Sequence, residues 1–189
     1  MRFIEHESNR LLFRKFCYDD MPVVSSWLGS AENMMYRTDE PKTEAEVRDY
    51  LHWAITSADA KTCKDYEYAV VLKSENKLIG AATLINVPIN PEIGWIVHRD
   101  YWRQGFGSEI GRALLALCFD TLKLRRVIAA CNDRNIGSYR VMERIGMRKE
   151  GQLVAAQPGN SALNYEWCDT LLYAMLQDEW HAYLQRGGN

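Results

Sequence analysis

The chain has 189 residues, 47% of them apolar and 25% charged, which is material for one packed core, so a single domain over residues 1–189 is expected, with its core over about 11–184. Twenty-three Lys and Arg against 25 Asp and Glu leave a net charge of −2, arguing against bulk capture of nucleic acid or of an anionic membrane surface. The five cysteines, Cys17, Cys63, Cys118, Cys131 and Cys168, are odd in number and contain no Cys-x-x-Cys pair, which disfavours a disulfide framework and a structural zinc site, so no metal is expected.

Glu5, Glu7, Arg10 and Arg14 stand where a signal peptide needs an apolar stretch, and no apolar run approaches the roughly 18 residues of a membrane span. The chain therefore reads as cytoplasmic. Leu11 to Phe16 alternates weakly and suits a first strand; Asp19, Asp20 and Pro22 then open a helix that stops near Gly29. Thr43 and Glu46 form a capping-box pattern ahead of Val47, Tyr50, Leu51, Ala54 and Ile55 at helical spacing.

The period changes in the middle of the chain. Tyr66 to Leu72, Leu78 to Val87 and Glu92 to His98 are rich in β-branched and aromatic residues, and the polar segments between them predict an antiparallel meander. A helix follows from about Gly105 to Leu122, with Ile110, Leu114, Leu117, Cys118 and Thr121 on one face, and then a strand at Arg126 to Cys131. Strand, helix and strand in that order imply a parallel crossover between the Glu92 and Val127 strands.

Asn135 opens a further helix that turns Val141, Met142 and Ile145 inward and stops at Gly146. Met147 to Leu153 and Thr170 to Leu176 add two strands, with Gln157 to Asn164 as a loop between them, and Gln177 to Leu184 forms a terminal helix. The expected class is α+β, with helices on both faces of a mostly antiparallel sheet of six to seven strands and one parallel pair.

The segment Tyr101-Trp102-Arg103-Gln104-Gly105-Phe106-Gly107-Ser108-Glu109 joins the end of a strand to the start of an amphipathic helix. Glycines at 105 and 107 permit a tight turn that leaves consecutive amides at a helix N-terminus, where the helix dipole favours a phosphate; Arg103 adds a charge-assisted contact. A bare Gly-x-Gly is also a common strand-to-helix turn. No Gly-Lys-Ser/Thr follows, which excludes a Walker A loop, and the antiparallel meander upstream disfavours a dinucleotide fold built on Gly105, Gly107 and Gly111.

With Asn135-Ile136-Gly137-Ser138 and Glu143-Arg144-Ile145-Gly146-Met147, this segment resembles the GNAT superfamily of acetyl-CoA-dependent N-acetyltransferases. Pro91-Glu92-Ile93-Gly94-Trp95, Tyr101-Trp102 and Asp178-Glu179-Trp180 are similar to its RimJ and RimL branch, which acetylates the α-amino groups of ribosomal proteins. The resemblance implies the GNAT fold with a splayed parallel strand pair. Acetyl-CoA would then be held at Ile96, Val97, Arg103, Gln104, Gly105, Phe106, Gly107, Ser108 and Asn135. Trp102 departs from the family's usual Gln or Arg at the head of that motif. Met142 replaces the tyrosine that many members use as general acid, and Ser138 matches the position this branch is thought to use instead.

An amine attacks a thioester only when neutral, which at pH 7 costs a lysine-like amine about 4.6 kcal/mol but an α-amine only about 1 kcal/mol. Glu92, at the start of its strand, is the candidate base, acting through a water and facing the acceptor; a solvated strand-end carboxylate is the alternative, and His98 is the second choice. Ser138 would donate to the departing thiolate or, alternatively, satisfy a backbone group in the first helical turn. Backbone amides near Ile96 and Val97 would receive the oxyanion.

Tyr36, in the irregular stretch Asn33 to Glu40, is the expected acceptor contact, whereas Trp27, Tyr50, Trp53, Trp95, Tyr165 and Trp167 read as core by default. Glu32, Asp39 and Glu40 would suit a cationic amine. Cys131 lies near the donor but has no histidine cue to make it an acyl carrier. The partners implied are acetyl-CoA and an amine, a peptide N-terminus or a small molecule, with the protein a monomer or homodimer. The rival reading is an acyl-CoA-binding regulatory domain with little or no catalysis.

Overall fold

The computed structural model describes residues 3–60, 64–159 and 166–188. Two short strands, β1 (His6–Glu7) and β2 (Leu11–Arg14), lead through a 3-10 turn at Tyr18–Asp20 to the helices α1 (Met21–Leu28), α2 (Ala31–Met34) and α3 (Glu44–Asp59). The meander follows as β3 (Tyr66–Leu72), β4 (Lys77–Ile85) and β5 (Glu92–Val97). Helix α4 (Phe106–Ala116) ends in a wider π turn at Leu117–Thr121 and is followed by β6 (Arg126–Asn132), α5 (Ile136–Arg144), β7 (Arg148–Pro158), β8 (Trp167–Leu176) and α6 (Gln177–Gln185).

The strands form one sheet in the order β1-β2-β3-β4-β5-β6-β8-β7, antiparallel at every junction except β5–β6. Eight strands stand where six to seven were expected. The extra one, β1, pairs His6 with Phe13 and Glu7 with Leu12, and two residues set among charged neighbours carry no alternation from which to read it. The loop expected from Gln157 starts later, because Gln157 and Pro158 still belong to β7, opposite Cys168 and Trp167 of β8; residues 160–165, with Tyr165, and Cys63 lie outside the described residues.

Two apolar layers sandwich the sheet. On one face Phe106, Ile110, Leu114 and Ile145 pack against Tyr68, Val70, Ile79, Leu84 and Ile93; on the other, Val24, Trp27, Val47 and Leu51 cover Ala69 and Ala81. Strand alternation explains the division, because neighbours along a strand point to opposite faces, except at Ile79 and Ala81, which a register shift between β3 and β4 at Val70/Val71 sends to opposite layers. Helix α3 starts where the capping box predicts: the Glu46 amide donates to Thr43 Oγ1 at 3.3 Å and the Thr43 amide to Glu46 Oε2 at 2.7 Å.

Candidate active site

The sheet opens at its parallel junction. β5 and β6 share one paired rung, Glu92 with Ile128, and the Ile128 amide donates to the Pro91 carbonyl at 2.9 Å. Beyond it each strand stays bound to its other neighbour: β5 pairs with β4 from Glu92 to Val97, and β6 pairs with β8 from Arg126 to Asn132. The sheet's two halves are therefore free to part along β5.

Alternation decides which backbone groups face this gap. The His98 amide donates to the Ile79 carbonyl at 2.8 Å, so the even-numbered residues of β5 turn their amides to β4 and the odd-numbered ones to the gap. Ile96, opposite Ala81, belongs to the first set and Val97 to the second. The Val97 carbonyl accepts from Trp102 Nε1 at 2.7 Å and Asn33 Nδ2 at 3.0 Å, both side chains. Trp102 thus braces the end of β5.

The turn into α4 lies at the mouth of the gap. Gly105, at φ 82°, caps the helix in a left-handed conformation that suits glycine, and Arg103, at φ 60°, adopts the same region. The first intrahelical bond runs from the Glu109 amide to the Gly105 carbonyl at 3.1 Å, so the amides of Phe106, Gly107 and Ser108 have no acceptor within the helix. Three such amides with the exposed Arg103 beside them are a donor set suited to a diphosphate.

An ion pair that sequence spacing gives no hint of fixes this turn. Glu109 accepts from the Arg10 amide at 2.8 Å, from Arg10 Nε at 2.6 Å and from Ser8 Oγ at 2.7 Å, which together hold its carboxyl below the usual range despite partial burial. Arg10 also donates to the Gln104 carbonyl at 3.2 Å and lies over the Phe106 ring at 4.2 Å. The Gln104 side chain donates to the Asp100 carbonyl at 3.1 Å. Phe106 and Ser108 are buried, and Ser108 Oγ faces Arg144 at 3.4 Å, which leaves both residues their amides to offer a ligand.

A cleft of about 600 Å³ runs from this gap across the α1–α3 face of the sheet. Glu92, Tyr36, Ser138 and Asn135 all line it, as does Cys131. Glu92 is half-buried and makes no hydrogen bond or ion pair among the described residues; burial raises its carboxyl above the ordinary value. Asn135 caps α5, its Oδ1 accepting from the Ser138 amide at 3.0 Å, and the Ser138 hydroxyl meets the Cys131 thiol. Burial pushes that thiol up to about 11, so at neutral pH it is a poor nucleophile.

Glu67, in β3, also lines the cleft. It is 6% exposed, and its hydrogen bond comes from the Tyr50 hydroxyl at 2.5 Å. Desolvation pushes its carboxyl up to about 8, against the opposing effects of that hydrogen bond and of the Arg37 charge. The sequence signal is a lone acid within an otherwise apolar strand, Tyr66-Glu67-Tyr68-Ala69-Val70-Val71-Leu72.

Other expected residues have different surroundings. His98 Nδ1 accepts from the Asp100 amide at 3.3 Å and its ring packs on Tyr101. Glu32 pairs with Arg99 at 2.5 Å, and Asp39 with Arg37 at 3.0 Å and Lys42 at 2.8 Å, so both acids already have cations. Tyr50 and Trp95 pack against the two apolar layers as expected and, with the exposed Trp53, also contribute to the cleft wall; Trp27 is fully buried and Trp167 exposed. Met142, on α5, is core. Among the described residues no helix is long and apolar enough to cross a membrane, and no group of three His, Cys, Asp or Glu is placed to hold a metal.

A mixed sheet opened at a single parallel rung, with a glycine-capped helix N-terminus at the opening, defines an acyltransferase architecture. The chain belongs to the Acetyltransferase (GNAT) domain family, which it matches over residues 10–148, and is an N-acetyltransferase. It is 32% identical over 176 residues to the Uncharacterized N-acetyltransferase YnaD of Bacillus subtilis, covering 92% of this chain and 98% of that one. A crystal structure of a GNAT-family acetyltransferase from Bacillus anthracis superposes with a TM-score of 0.81 at 32% identity, covering 93% and 99% of the two chains. A GCN5-related N-acetyltransferase from Brucella melitensis shares the fold at 24% identity, with a TM-score of 0.80 and coverage of 98% and 84%.

Proposed function

We propose that the protein transfers the acetyl group of acetyl-CoA to a primary amine by direct attack within a ternary complex, in the manner of the RimJ and RimL branch and in the cytoplasm. The observation that carries this reading is the single β5–β6 rung. It leaves a gap through which a thioester held by its diphosphate at the α4 N-terminus can meet an acceptor lying in the cleft.

In this scheme the amides from Gln104 to Ser108 and the Arg103 side chain grip the diphosphate, and Asn135 contacts the pantetheine arm with the amide atoms its cap leaves free. The Val97 amide receives the thioester oxygen as negative charge develops on it. Glu92 takes the ammonium proton through a water, so that the neutral amine attacks the carbonyl carbon. Its unpaired, half-buried carboxyl is suited to this, because burial raises it and so makes it a better proton acceptor than a solvated one. The oxyanion then collapses, the C–S bond breaks, the proton still carried by the new amide nitrogen passes to the departing thiolate or to solvent, and Ser138 hydrogen-bonds the departing sulfur. Tyr36 borders the acceptor, which is a peptide N-terminus or a small amine.

Calorimetric titration with acetyl-CoA, followed by thiol release with a panel of amines and N-terminal peptides, tests the proposal. Binding, with release on at least one acceptor, is expected. No heat on titrating well-folded protein overturns the donor assignment. Binding without release on any acceptor overturns the transfer.

A further inference from the structure

Strand register puts Glu67 in a row with two other residues. Glu67 pairs with Thr83, and Thr83 with Gly94, so the three share one face of the sheet. Gly94 contributes no side chain, and a Cβ there would meet Thr83 Oγ1 at 2.8 Å. The row is thus an acid at one end, a hydroxyl beside it and a low floor running toward the gap.

The charges around Glu67 are few. From α3 comes the neutral Tyr50 hydroxyl, and from the segment between α2 and α3 comes Arg37, which Asp39 already engages at 3.0 Å. A carboxyl 94% buried against a phenol rather than a cation, and opening on a cleft, is an uncommon arrangement, because buried acids ordinarily find a cationic partner.

Distance separates this acid from the chemistry. β3 and β5 are two strand spacings apart, roughly 10 Å, and the reacting amine lies beyond β5 at the gap. Direct proton transfer needs a contact of about 3 Å, which excludes Glu67 as the base. A second nitrogen on the same acceptor, about four to six carbons from the first, does reach it, since an extended chain gains about 1.25 Å per bond and a hydrogen bond of about 3 Å closes the remainder.

We infer that Glu67, positioned by Tyr50, is the anchoring site for a second cationic nitrogen of the acceptor, so that the enzyme selects amines carrying two positive charges at a fixed separation. The inference rests on the acetyl-transfer reading and adds an acceptor class to it. The ligand chemistry is a second ammonium or guanidinium, carried either by a diamine or by a basic side chain near a peptide N-terminus. When such a cation arrives, the Glu67 proton leaves to solvent and the resulting carboxylate is paired.

The test measures kcat/KM with acetyl-CoA for 1,3- to 1,6-diaminoalkanes against monoamines of equal length, and for N-terminal peptides with Lys or Gln at the second position. The doubly charged acceptor should win in one of the two arms, which identifies its source, by about tenfold or more, the value of one charge-assisted hydrogen bond. Glu67→Gln should reduce that ratio to within about twofold, the loss falling on KM. Glu67→Asp should keep part of it while moving the best acceptor to a chain about one carbon longer, a change that a purely structural role would not produce. Acetyl-CoA calorimetry on each variant establishes that it is folded.

A preference absent from the wild type, or unaltered by Glu67→Gln, overturns the anchoring site while leaving acetyl transfer intact. Failure of the wild type with every amine and peptide overturns the transfer reading, and the anchoring site falls with it.

Discussion

Two carboxyls on one sheet face have been given different work by their surroundings. Glu92 lies at the rung where β5 and β6 last touch, half-buried and unpaired, while Glu67 is two strands away beneath Tyr50. Glu92→Gln should lower kcat by about a hundredfold while leaving acetyl-CoA affinity, measured by calorimetry, within about twofold of the wild type. The acid limb of the wild-type rate, where protonation of a carboxyl with a raised value removes the base, should also disappear. An unaltered profile from pH 6 to 9 would remove Glu92 from the mechanism. Ser138→Ala should cost less, about tenfold in kcat, because a thiolate leaves without full protonation; full turnover would leave Ser138 as a first-turn helix serine beside Cys131.

At the scale of elements, the gap depends on how closely β4 and β5 approach. A Cβ on Gly80 would come within 2.2 Å of the Ile96 carbonyl and 3.1 Å of the Val97 Cα, both backbone atoms that have nowhere to move cheaply. Gly80→Ala should therefore cost about 1–3 kcal/mol in denaturant unfolding, and by displacing β5 it should weaken acetyl-CoA binding as well. A stability loss without loss of affinity would show that the gap tolerates movement of β5.

The elements were legible in the sequence wherever local chemistry sets them. The capping box at Thr43 and the 3.6 period from Ile110 to Leu117 act within one or two turns, and the meander alternates within each strand. The splay was expected only through the family resemblance and not from the residues themselves, because it consists of hydrogen bonds not made between strands some 35 residues apart. Glu67 escaped notice for the same reason: its strand was readable, but its place beside Gly94 depends on register across two further strands. The Arg10–Glu109 pair, 99 residues apart in sequence, is likewise a product of topology alone.

For the whole molecule, the shifted groups predict a stability profile in which each acts over its own pH window. Glu109 and Asp20 are held below their ordinary values by Arg10 and Arg14 with nearby backbone amides, so they stabilise above the unfolded value near 4 and lose that effect in acid. Burial lowers His6 to about 4, so the unfolded chain binds the extra proton between about 4 and 6.5, and stability rises with pH there. Glu67 acts in the opposite direction. Its folded value near 8 means that the native state keeps a proton the unfolded chain has lost, so its contribution declines from about 4.5 up to about 8.

Between pH 6.5 and 8, then, Glu67 titrates, the carboxyl raised furthest among the described residues. Wild-type stability should fall there by up to about 1.4 kcal/mol per pH unit. A second decline should begin near pH 9, where the unfolded chain ionises Cys118 and Cys131 while burial holds their native thiols up at about 12 and about 11. Glu67→Gln removes the first decline and leaves the second, so that at pH 8 the variant should unfold at a higher denaturant concentration than the wild type. Denaturation midpoints at half-unit steps from pH 6 to 10 measure both limbs. Parallel curves for the two proteins between pH 6.5 and 8 would mean that Glu67 is ionised in the native cleft, with its charge met by Arg37.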